Sequence, residues 1–99
     1  MLSRNSIEFV EVELAAAKIG VISVNLNWRQ TPAELAHCAG LTAPSFIVSG
    51  EEVVAPLREA GWQTDLVIGP GYEAALDAVN PAEVPDVYVE AEDGLCILF

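Results

Sequence analysis

The sequence predicts an α/β fold built on a mostly parallel sheet, and three observations carry that prediction. Helical and extended stretches alternate along all 99 residues. The extended stretches are short and nearly all apolar, as in Val21-Ile22-Ser23-Val24 and Leu95-Cys96-Ile97-Leu98-Phe99, and do not alternate polar with apolar. Such runs belong to strands covered on both faces, the situation of a parallel sheet between helices. Finally, the Ser/Thr-x-x-Glu signature of a capped helix start recurs at Thr31–Glu34 and Ser49–Glu52.

The first segment reads as a helix from about Ser6 to Ile19, with Asn5 as its cap and Glu8 closing a capping box. Ile7, Val10, Leu14 and Ala17 recur at helical spacing, and Gly20 is a natural stop. The small side chains of Ala15, Ala16 and Ala17 allow this helix to lie close against a sheet. Val21–Val24 reads as a strand. Thr31-Pro32-Ala33-Glu34 then opens a short helix ending near Ala39-Gly40: Thr caps, Pro takes the first helical position and Glu completes the box. Ser45–Val48 is the next strand. The stretch from Ser49 toward Gly61 is helical, with Pro56 forcing a kink or a later start because it lacks an N–H. Asp65–Ile68 is a third strand, closed by a turn at Gly69-Pro70-Gly71. Tyr72–Val79 is a short helix, Asn80–Asp86 a loop containing Pro81 and Pro85, and Gly94–Phe99 a last strand.

Ninety-nine residues allow one domain at most, and a domain of that size buries only about 60–65% of its unfolded surface. The chain is nonetheless 53% hydrophobic with a mean hydropathy of +0.39, richer than the usual apolar share of about 45–50%. That surplus reads like the interior of a larger body. The last strand carries no polar tail and the first helix has only Met1-Leu2 before it. The expectation is therefore a fragment of a larger domain, cut at both ends.

Fifteen acidic residues against four Lys plus Arg give a net charge of −11. Phosphate backbones and anionic membranes both need cations, so nucleic-acid and membrane-surface binding are disfavoured. Cys38 and Cys96 are far apart with no Cys-x-x-Cys spacing, which points to free thiols in a reducing compartment. No apolar stretch approaches the ~20 residues of a membrane span, and no signal-peptide layout opens the chain. The expected location is cytoplasmic.

No residue set stands out as a catalytic, cofactor-binding or metal site. His37 and Cys38 are adjacent, and neighbours on a helix point about 100° apart, so they do not form a nucleophile–base pair. Gly69-Pro70-Gly71 sits where phosphate loops sit, yet Ala74 replaces the third glycine of G-x-G-x-x-G and Pro70 removes an N–H donor. Arg29 beside Trp28 has the fork geometry for a carboxylate or phosphate, but its default role is to pair with an acid or cap a helix. Glu51-Glu52 and Glu90/Glu92/Asp93 occupy helix-start or loop positions where acids are favoured in any case.

The pattern as a whole is familiar. Asn5-Ser6-Ile7-Glu8-Phe9-Val10, Leu14–Val21, Val24-Asn25-Leu26-Asn27-Trp28-Arg29 and Thr31-Pro32-Ala33-Glu34-Leu35 resemble the adenylate-forming (AMP-binding) enzymes, and among them the acyl-CoA synthetases, or fatty-acid–CoA ligases. Asn25 stands where that family often has proline. After about Gly50 the resemblance rests on element order, until Glu92–Phe99, which is similar to the strand leading into the family's Thr/Ser/Gly-rich phosphate loop. It implies that residues 1–99 are a fragment of the large N-terminal AMP-binding domain, a partial sheet ending just before that loop. The parent would use ATP and magnesium to convert a carboxylic acid into an acyl-adenylate, then pass the acyl group to coenzyme A. The fragment alone would be inactive scaffold, with Asn27, Arg29 and Thr31 structural, and its partner would be the remainder of the enzyme. The alternative reading is a free-standing small α/β binding or interaction module of flavodoxin or receiver type. Such a module would place acids or a phosphate loop at the carboxyl ends of its strands; Asn25, Ser49 and Gly69 occupy those places here.

Overall fold

The computed structural model describes residues 1–99. Its order is α1 (Ile7–Lys18), β1 (Ser23–Asn25), α2 (Pro32–Thr42), β2 (Val48–Ser49), a 3-10 turn (Glu51–Val53), α3 (Val54–Glu59), β3 (Leu66–Val67), α4 (Pro70–Asp77) and β4 (Cys96–Leu98). Both strand pairs are parallel: β1 with β4, in register Val24↔Ile97, and β2 with β3, in register Ser49↔Val67. Met1-Leu2 joins the two pairs. The Met1 nitrogen donates to the Val24 carbonyl (2.7 Å) and the Leu26 N–H to the Met1 carbonyl (3.1 Å). On the other side the Leu2 N–H donates to Val48 and the Gly50 N–H to Leu2, each at 3.0 Å. Leu2 bridges Ser49 in parallel. The lateral order is therefore β4–β1–(Met1-Leu2)–β2–β3, a five-membered parallel array of the α/β class.

Helix ends follow the local chemistry. Thr31 makes the full capping box, its Oγ1 accepting from the Glu34 N–H while the Glu34 carboxylate accepts from the Thr31 N–H at 2.8 Å. These hydrogen bonds, from the backbone first and then the hydroxyl, hold the Glu34 carboxyl below the usual carboxylate range. Two helices end in the same motif. Gly20 (φ +69°) follows α1 with Val21 N–H bonded to Ala16 and Gly20 N–H to Ala17. Gly61 (φ +87°) follows α3 with Trp62 N–H bonded to Leu57 and Gly61 N–H to Arg58. In both, a residue in the left-handed region lets two otherwise orphaned carbonyls be satisfied.

Several boundaries differ from the sequence expectation. Ser6, not Asn5, caps α1: its extended backbone brings the hydroxyl to the Phe9 N–H at 3.2 Å. Helix α2 continues through Gly40 to Thr42, whose hydroxyl bonds back to the Cys38 carbonyl, and Pro44 stands just beyond. Ser49 closes no capping box. It is fully buried in β2, its hydroxyl bonded to the Thr64 hydroxyl (2.8 Å), and Gly50 takes the cap position without a side-chain bond. Pro56 acts as expected, since the α-helical turn begins only at Val54. The turn after β3 lies at Ile68-Gly69, and Pro70 and Gly71 already form the first turn of α4.

The core lies on one face of the array, where Leu2, Leu35, Ile47, Val53 and Leu57 form a buried cluster flanked by Leu26, Trp28, Ala60 and Trp62. Burying each large aliphatic side chain is worth roughly 1.5–3 kcal/mol. A gap of about 20 Å³ beside it is lined mostly by apolar groups, among them Met1, Leu2, Val24 and Leu57, and offers a water little to bond to. On α1, Phe9, Val12, Ala16 and Ala17 are half-buried, while Ile7, Val10 and Leu14 face outward. Every residue of β4 is exposed, so the cover on both faces that its apolar run predicts is absent there.

Candidate functional site

Open parallel sheets bind ligands beyond the carboxyl ends of their strands. Here that edge is formed by Ser3-Arg4 after Leu2, by Leu26–Arg29 after β1, by Gly50–Glu52 after β2 and by Ile68-Gly69 after β3. An open cleft of about 260 Å³ lies on it, lined by Ser3, Arg4, Ser6, Gly50, Glu51, Glu52 and Ile68.

Arg4 organises the edge. Its guanidinium carbon lies 4.5 Å from the centroid of the Trp28 ring, and the Arg29 guanidinium carbon lies at the same distance. Arg4 Nε also stands 3.9 Å from Glu52 Oε1, a loose and partly exposed pair. Two of the four Lys and Arg residues thus rest on one indole, whose face attracts cations. The Glu52 carboxylate folds back over Gly50, where a Cβ would fall 2.5 Å from Glu52 Oε2. A side chain at position 50 would therefore have to displace that partly exposed carboxylate. Below Trp28 the chain turns through Asn27, whose Oδ1 accepts from the Arg29 N–H (3.0 Å) and whose N–H donates to Gln30 Oε1 (3.1 Å). Asn27, Arg29 and Thr31 hold turns and helix starts.

The other sequence candidates are not brought together. His37 is exposed while Cys38 is buried and accepts a hydrogen bond from Gln30 Nε2 at 3.4 Å, so the two side chains leave the helix in different directions. Gly69 adopts φ +140° at the start of α4, and Pro70 takes the first helical position without an N–H to offer. Asp93 accepts from the Glu90 N–H at 2.9 Å, closing a local turn. No three His, Cys, Asp or Glu side chains form a group that could hold a metal ion. Glu51 and Glu52 place two carboxylates on this edge, which disfavours a nucleotide polyphosphate there.

On the opposite face, Tyr72 of α4 is 4% exposed and its hydroxyl donates to Glu11 Oε2 of α1 at 2.9 Å. Burial first, then the bond to Glu11 and the charges of Glu8 and Glu73, push its pKa up to about 12. The pair is separated by 61 residues, and no spacing rule signals it. Arg4 likewise went unnoticed in the sequence, because its partners lie after other strands. The Ser23 hydroxyl of β1 bonds to Glu13 of α1, a second polar tie across this face.

A parallel α/β array with helices on both faces, and with turns and helix starts at the carboxyl ends of its strands, is the class that the geometry defines. The chain belongs to the AMP-binding enzyme family, whose model matches residues 1–99. Among solved structures it is similar to a protein described as a long-chain-fatty-acid CoA ligase from Rhodopseudomonas palustris. That match has 25% identity and a TM-score of 0.78, and covers 96% of this chain but 26% of the other. The chain thus spans about a quarter of the length of that relative. No curated protein matches the sequence. No helix is long and apolar enough to cross a membrane.

Proposed function

We propose that these residues are the scaffold of an ATP-dependent acyl-CoA synthetase, a fragment of its N-terminal AMP-binding domain, and that they perform no chemistry alone. The observation that carries this reading is the combination of a family match over the whole chain with a strand edge built from caps and turns. A carboxylate is a poor electrophile, so the complete enzyme first turns one of its oxygens into part of a better leaving group. The acid attacks the α-phosphate of ATP, acyl-adenylate forms and pyrophosphate departs. The thiol of coenzyme A then attacks the acyl carbon and AMP leaves. ATP, magnesium and coenzyme A are assigned to the complete enzyme, whose sites lie outside these residues.

Within that enzyme the parallel array sets the height of the strand ends, and the Arg4–Trp28–Arg29 stack fixes the loops between them. A fatty acid is the proposed substrate class, supported by the described activity of the structural relative, and the cytoplasm the proposed location, supported by two cysteines that form no disulfide. The test is carboxylate-dependent exchange of labelled pyrophosphate into ATP, run with fatty acids of graded length. The polypeptide encoded by the whole reading frame should catalyse exchange and the 99-residue chain should not. Exchange by the 99-residue chain, or none by the longer one with any acid tried, would refute the proposal.

A further inference from the structure

We draw no further inference here: the strongest candidate, the strand-edge cleft where Arg4 and Arg29 meet on the Trp28 ring beside Glu52, belongs to the site already described, and no unpartnered buried polar side chain points into it to say what it would take.

Discussion

Leu57→Ala and Leu14→Ala make a matched pair, because the same side chain is removed from the same type of element in opposite surroundings. Leu57 is 1% exposed and packs in the cluster with Leu2, Leu35, Ile47 and Val53, whereas Leu14 is 62% exposed. Deleting a buried leucine side chain costs about 2–5 kcal/mol, the transfer of the lost methyl groups plus the cavity left behind. A loss of about 3 kcal/mol is the central expectation for Leu57. A chain of this length has roughly 5–15 kcal/mol of total stability, so that loss would remove a large share of it. It corresponds to a fall in Tm of about 12–24 °C. Leu14→Ala should stay within about 0.5 kcal/mol, as exposed substitutions do. Urea melts followed by circular dichroism give both values. A cost below about 1 kcal/mol at Leu57, or above it at Leu14, would show that the core is not on the α2–α3 side.

Thr31→Ala removes the hydroxyl of the α2 capping box and should cost about 1 kcal/mol in the same melt. Glu34 has its folded pKa lowered, so its contribution is present above the usual value of 4.5 and lost as pH falls through the folded value; Thr31→Ala should shrink that acid dependence. Gly50→Ala displaces the Glu52 carboxylate and with it the contact to Arg4, and adding Glu52→Ala should recover most of the loss, a coupling that a double-mutant cycle reads directly. Tyr72 titrates high in the fold, so it favours folding below pH 10 and that contribution fades as pH rises toward about 12. Tyr72→Phe should flatten the alkaline limb of a pH–stability curve, and an unchanged limb would count against the Glu11 bond.

Much of the architecture could be read from local chemistry. Parallel pairing followed from apolar strand runs, and the Thr31 box and the stop at Gly20 appear where their residue types place them. Errors arose where two local signals competed. Asn5 and Ser6 are both good caps, and only the backbone conformation at Ser6 decided between them. Ser49 looked like a cap, but tertiary pairing drew it into β2. The role of Met1-Leu2 was hidden because two residues carry no periodicity, although their hydrogen bonds join the two halves of the sheet. The apolar stripe of α1 was visible as helical spacing, yet spacing alone does not say which of two apolar sides faces inward. At the strand edge, Arg29 was visible beside Trp28, while Arg4 meets the same ring from 24 residues away.

The most direct test of the central claim is the coding sequence on the 3′ side of the codon for Phe99. The account predicts a Thr/Ser/Gly-rich segment ending in Pro-Lys within the next few codons, the phosphate loop that such a strand leads into in the enzymes this chain resembles. A stop codon at that point, with a ribosome-binding site ahead of Met1, would contradict it and leave a small α/β protein in place of a synthetase scaffold.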